Sequence, residues 1–206
     1  MANGAEGKKR RGRRAYLNDF RVGDNGEYSY KGVVCRYTGK LPYNKVKLRV
    51  GVLAGLAVLC TAAAGLIPAA SMLGMGNFYV VPFFIAQLIA VFIMAWGAVR
   101  LLVNGAELRE YVFKATVKRI PGGAVAAFVT ALCSLAANVV YVCINGFGAN
   151  PVWLVLLMLL HAVTACAAFL LYKYIGSLTW ERTHKDTEAE SFAEAFDFEN
   201  DVSADK

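Results

Sequence analysis

What this chain lacks over long distances is charge. The 50 residues between Arg49 and Arg100 contain no Asp, Glu, Lys or Arg, and neither do the 53 between Arg119 and Lys173. Over the whole chain of 206 residues 57% are hydrophobic and 18% charged, which is poor in charge for a water-soluble domain. An α-helix needs about 20 apolar residues to cross a hydrocarbon core about 30 Å thick. Each run is more than twice that length, so each holds two spans joined by a short turn. The sequence predicts an all-α integral membrane protein with four transmembrane helices arranged as two helical hairpins.

Residues that carry catalytic or metal chemistry are also scarce. His161 and His184 are the only histidines, whereas a metal site normally takes three or four ligands. The five cysteines, at 35, 60, 133, 143 and 166, form no C-x-x-C pair. Four lie in the apolar runs and read as small packing residues; only Cys143 sits where conditions would be oxidising, and no disulfide framework is indicated. No G-x-x-x-x-G-K, G-x-S-x-G or H-E-x-x-H pattern occurs, and no Asp, Glu, Lys or Arg lies in the middle of a span, where one would mark a coupled transport site. The expectation is a protein without catalytic residue, metal or cofactor.

The four spans are predicted at 50–70, 78–103, 122–145 and 151–174. Pro121 and Pro151 fall in first helical turns, where a missing N–H costs nothing, and Asn150 is a candidate N-cap. All 22 Lys and Arg fall outside the two turns at 71–77 and 146–150. Residues 1–49 carry 13 basic against 4 acidic residues, 100–119 carry 5 against 2, and 173–206 carry 4 against 9. Cytoplasmic loops retain Lys and Arg, while Asp and Glu contribute little to orientation. Both termini and the middle loop are therefore expected in the cytoplasm, in the plasma (inner) membrane, with both turns outside. A cleaved signal peptide is not expected, since the first apolar run starts only at residue 50.

Outside the spans the chain divides into a basic disordered tail at 1–15, an aromatic-rich cytoplasmic segment at 16–49, ahead of the transmembrane domain at 50–175, and an acidic tail at 176–206. The tract Lys8, Lys9, Arg10, Arg11, Arg13 and Arg14 is a positive-inside flank and a candidate set of lipid-headgroup contacts, the alternative being specific binding of anionic lipid. Nucleic acid is not expected as a partner, because topology explains the basic excess. In the second segment Asp24-Asn25-Gly26 signals a turn. The aromatic and β-branched run after it, interrupted by Lys31-Gly32, predicts a small β-hairpin that needs the middle loop, headgroups or a partner to lean on. In the middle loop Leu108, Tyr111 and Val112 have i, i+3, i+4 spacing and predict a short amphipathic helix. Residues 187–198 read either as an acidic amphipathic helix, with Phe192 and Phe196 as candidate partner-docking residues, or as a disordered tail.

Within the spans, Thr130, Ser134, Asn138, Tyr141 and Asn145 share one face of the third helix. Gln87, Thr61 and His161 lie near the same depth, so Thr61, Gln87, Thr130, Ser134, Asn138, Tyr141 and His161 form a candidate intramembrane polar layer. It serves either as interhelical hydrogen bonding or as the lining of a path. His161 is expected to be structural and hydrogen-bonded across helices. Gly51 and Gly55 form a GxxxG pattern that predicts close helix packing in span one. The functional expectation is a non-catalytic accessory or scaffolding subunit with a protein partner, or a homo-oligomer; the alternative is a small transporter or channel subunit. The charge distribution makes a direct prediction. In a cysteine-free background, an impermeant thiol reagent added outside should label Gly74→Cys and Gly148→Cys but not Tyr30→Cys, Glu110→Cys or Glu190→Cys, and label at any of the last three sinks the orientation.

Overall fold

The computed structural model describes residues 20–22, 28–30, 32–67, 78–147 and 151–184. The element order is β1 (Phe20–Val22), β2 (Tyr28–Tyr30), β3 (Val33–Tyr37), α1 (Tyr43–Leu66), α2 (Val81–Val103), β4 (Glu107–Arg109), α3 (Glu110–Ala115), α4 (Ile120–Asn145), α5 (Pro151–Gly176) and β5 (Trp180–His184). Four of the helices are long and apolar enough to cross a membrane, and small antiparallel sheets accompany them. The chain divides into two compact units: a helical unit of residues 39–106 and 113–179, and a second unit that holds the strands.

The helix limits follow from local chemistry. α1 opens on Pro42, whose carbonyl accepts the Lys45 and Val46 N–H groups at 2.9 and 3.3 Å. It therefore begins seven residues before the expected span and carries Lys45, Lys47 and Arg49 in its first two turns. It stops at Leu66 rather than 70, because Ile67 precedes Pro68 and takes the extended backbone (ψ 136°) that a following proline imposes. Asn104 closes α2 by donating its side-chain amide to the Arg100 carbonyl at 2.6 Å. Gly146, at φ 71°, ends α4 in the left-handed region and donates its N–H to Val142 at 2.8 Å. After α5 the Ser177 N–H and hydroxyl both turn back onto the last carbonyls.

Inside the helical unit α1 packs on α2 and α5, and α4 packs on the same two, making a four-membered ring. Neighbours run antiparallel. Tyr43 reaches the Leu101 carbonyl at one end of α1, while Gly65 meets Phe84 near the other. Phe128 packs on Phe169, and Gly97 lies against Ile120. The interior is lined by small side chains, among them Ala57, Ala64, Ala124, Ala127, Ala131 and Ala168. Large apolar side chains face outward: Leu59 is 69% exposed and Phe92 67%. Polar Gln87, Ser134 and Asn138 are buried, which inverts the arrangement of a water-soluble protein.

The closest helix approach is not at the GxxxG pattern of span one. A Cβ at Gly55 would meet nothing, and one at Gly51 only the side chain of Leu102 at 3.6 Å. At Gly123 it would lie 3.1–3.3 Å from the backbone and Cβ of Met94, and at Gly97 it would be 2.8 Å from Ile120 Cγ1. The α2–α4 contact is thus the tight one, since these glycines face a neighbouring helix and Gly55 does not.

In the second unit β1 pairs antiparallel with β2, with Phe20 opposite Tyr30, and the segment between them contains Asp24-Asn25-Gly26. A separate sheet has the order β4-β3-β5, all antiparallel, with Cys35 opposite both Leu108 and Arg182. The strands expected on either side of Lys31-Gly32 form, but they do not pair with each other. β3 instead takes partners along both edges, and Cys35 and Leu108 become almost wholly buried, a gain that a lone two-stranded hairpin cannot supply. Two expectations are corrected by this sheet. Leu108 belongs to a strand, so the middle-loop helix is only the six residues of α3. The segment after α5 is also not all tail, since Trp180–His184 is an edge strand. Tyr37 and Trp180 stack edge-to-face with centroids 5.5 Å apart. The Arg36–Glu107 ion pair, 3.6 Å and well exposed, adds at most about 1 kcal/mol.

The two glycine environments predict opposite outcomes. Gly123→Val should cost about 1–3 kcal/mol by forcing α2 from α4, read as a lower midpoint of unfolding in mixed micelles, whereas Gly55→Ala should be neutral or slightly stabilising. Equal effects at the two positions would refute this assignment of the tight contact.

Candidate functional site

The polar side chains of the helical unit converge in part as expected. Gln87 of α2 donates its side-chain amide to the Thr61 hydroxyl of α1 at 3.2 Å. Thr61 in turn lies 3.5 Å from the Thr164 hydroxyl of α5, and Thr164 donates to the Leu160 carbonyl of its own helix at 2.9 Å. Three helices are therefore joined by one short chain of polar atoms. Thr164 was not among the expected residues, although its signal is in the sequence: it sits three positions after His161, on the same helix face. His161 is buried, and its ring meets Phe84 edge-on with centroids 6.2 Å apart. Phe84 lies one turn before Gln87, so Gln87, Thr61, Thr164, His161 and Phe84 form a closed circuit across α1, α2 and α5.

The α4 side chains behave differently. Ser134 donates to the Thr130 carbonyl at 3.0 Å, Asn138 to the Ser134 carbonyl at 2.7 Å, and Thr130 to the carbonyls of Ala126 and Ala127. These bonds stay within one helix, because a hydroxyl or amide four residues along reaches the preceding turn more easily than a neighbouring helix. Ser134 and Asn138 are buried; Thr130 and Tyr141 are half-buried, and Tyr141 packs with Val142 on the apolar cluster of Ala64, Ile67, Leu154 and Leu157. The antiparallel register of α4 and α5 sets Asn138 within about one turn of the level of His161.

Three buried side-chain atoms in this region have no hydrogen-bonding partner among the described residues: Gln87 Oε1, Asn138 Oδ1 and His161 Nδ1. His161 Nδ1 therefore takes no part in a cross-helix bond. Gln87 and Asn138 each donate and leave a carbonyl oxygen, an acceptor, inside the bundle. Such a layer can hold an uncharged hydrogen-bond donor, and it can equally fix the register of helices whose remaining contacts are apolar. Among the described residues no three His, Cys, Asp or Glu side chains come together as a metal site.

Charge within the helical unit lies at one end. Lys45, Lys47 and Arg49 open α1, Arg100 closes α2, Lys118 and Arg119 precede α4, and Lys173 closes α5. The antiparallel packing gathers these termini together. Four of the cations sit over aromatic rings at 5.3–5.8 Å: Lys47 over Tyr43, Arg49 over Tyr174, Arg100 over Trp96 and Lys173 over Phe169. Three of the four are i, i+4 pairs within single helices, which spacing alone brings together; only Arg49 and Tyr174 meet across two helices. The basic tract Lys8 to Arg14, the acidic 187–198 segment with Phe192 and Phe196, and Asn150 lie outside the described residues.

The Gln87–Thr61 bond should be measurable by a double-mutant cycle. Thr61→Val and Gln87→Leu should couple by about 0.6 kcal/mol, and by no more than about 1.7, in unfolding from mixed micelles; zero coupling would remove this pair from the layer. No protein-family model, curated protein or solved structure matches this chain.

Proposed function

We propose that this chain is a four-pass protein of the plasma (inner) membrane, inserted as two helical hairpins with both ends in the cytoplasm, and that it works as a non-catalytic accessory or scaffolding subunit. The observation that carries the reading is the three-stranded sheet. β3 precedes α1, β4 lies between α2 and α4, and β5 follows α5, yet all three share one hydrogen-bonded ladder. Segments that pair lie on the same side of a bilayer, so the number of crossings between β3 and β4, and between β4 and β5, is even, which fits the two long helices found in each interval. An outward apolar surface around buried polar side chains supports insertion. Cations gathered at one end support the orientation. The paired strands also make the flanks a folded element rather than three independent tethers, which suits a surface that holds a partner.

A second reading, a small transporter or channel subunit, is favoured by the three unpartnered polar atoms at Gln87, Asn138 and His161. One measurement separates the two: the mass and composition of the complex extracted from its native membrane in mild detergent. A stoichiometric foreign polypeptide is the expected result. That partner should be lost from Val34→Pro, which breaks the central strand, while the variant remains in the membrane. A homo-oligomer alone overturns the accessory reading and leaves the polar layer as the seat of function.

A further inference from the structure

The geometry points to a binding site for one anionic glycerophospholipid on the flank of the helical unit, in the groove lined by Phe92, Ile93, Trp96, Gly97, Ala115 and Arg119. This rests on the membrane-spanning reading above, and it concerns residues distinct from the basic tract near the N-terminus. The groove offers about 310 Å³, at the small end of the range of small-molecule sites. That suits a glycerophosphate headgroup with the first part of one acyl chain.

Its two ends differ in chemistry. Phe92 and Ile93 are 67% and 49% exposed and present an apolar wall on the outer face of α2. One turn further on, Trp96 is half out of the protein, and the Arg100 guanidinium stacks on its ring at 5.5 Å. Arg119 lines the groove directly, and its side chain is exposed. Gly97, packed against Ile120, forms the floor between the aromatic wall and the turn at 116–119. An acyl chain would lie along Phe92 and Ile93, the glycerol backbone would reach the level of Trp96, and the phosphate would sit between Arg119 and Arg100.

Charge selects the occupant. Residues 39–106 and 113–179 contain Lys40, Lys45, Lys47, Arg49, Arg100, Lys114, Lys118, Arg119 and Lys173 but not one Asp or Glu. The helical unit supplies no carboxylate for these two guanidiniums. An anion from outside can do so, and at the end of a spanning helix the abundant anion with an apolar tail is a phospholipid. Arginine, planar and weakly hydrated, suits a phosphodiester better than lysine does.

The test uses the full-length chain reconstituted in phosphatidylcholine vesicles containing a minor fraction of phosphatidylglycerol, followed by native mass spectrometry of the released protein. Wild type should retain phosphatidylglycerol in preference to phosphatidylcholine. A basic residue near an anionic surface contributes about fivefold, so R100Q/R119Q should weaken that preference about 25-fold. K45Q/K173Q, which removes two cations of the same end away from the groove, should change it less than about twofold. No preference in wild type, or equal loss in both double variants, overturns the site. A second readout leaves both arginines intact: in W153F/W180F, tail-brominated phosphatidylglycerol should quench Trp96 fluorescence more than tail-brominated phosphatidylcholine at equal mole fraction, and equal quenching overturns the site as well. Flotation separates the two levels of failure. A chain that floats with the vesicles and shows no lipid preference refutes the site alone, whereas one stripped from them at alkaline pH refutes the spanning reading and this site with it.

Discussion

Each of the four long helices satisfies its own backbone, and this is what allows their outer surfaces to be apolar almost throughout. A helix whose outward side chains are Leu, Val, Ile and Phe has no external partner for a free N–H or C=O, so the unpaired groups must be confined to its ends. The ends of these helices are built accordingly. Proline carbonyl, asparagine amide, left-handed glycine and serine hydroxyl each meet part of the need at Pro42, Asn104, Gly146 and Ser177. Ile67 adds a stop imposed by the following proline rather than by a cap.

With the backbone provided for, the contacts between helices decide which helix neighbours which. Those contacts use size more than polarity. Alanines line the ring, and Gly97 and Gly123 let α2 and α4 approach more closely than a side chain would allow. Polar atoms are few and localised, and they link α1, α2 and α5 through Gln87, Thr61 and Thr164, while α4 keeps its hydrogen bonds internal. The consequence is a bundle in which three helices share a polar contact and the fourth is held by shape. Its buried Gln87 and Asn138 oxygens are left as acceptors in an apolar interior, where an unmet polar group is expensive.

Outside the helices, the polar segments are tied together by a ladder rather than by sequence proximity. β3 meets strands that come from the middle of the chain and from beyond α5. Within the helical unit, the aromatic rings under Lys47, Arg49, Arg100 and Lys173 hold long cationic side chains at one end of the bundle, where their apolar stems can cover hydrophobic surface while the charge stays in a polar medium.

The four helices were legible from composition, because a charge-free run of fifty residues or more has few other folded solutions; their largest end shifts fall where Pro42 and Pro68 act, and the other ends moved by three residues or fewer. The candidate layer was legible as far as helical spacing reaches: it grouped Thr130, Ser134 and Asn138 on one face, and it set Gln87, Thr61 and His161 at one depth. Spacing cannot say whether a side chain turns to its own helix or to a neighbour, and so it missed Thr164 and could not tell that Nδ1 of His161 has no partner among the described residues. The tight glycine contact was equally invisible, because a GxxxG pattern records small residues and not the helix they face. Least legible was the sheet. Leu108 reads as part of a helical stripe and Trp180 as tail until β3 lies between them, since strand pairing is a contact between distant segments and leaves almost no local trace. Sequence alone determined the helices, their number and the side of the chain on which charge collects, because these depend on local composition. Tertiary structure decided the neighbours, the polar contacts and the strand partners, because each depends on which distant surfaces meet.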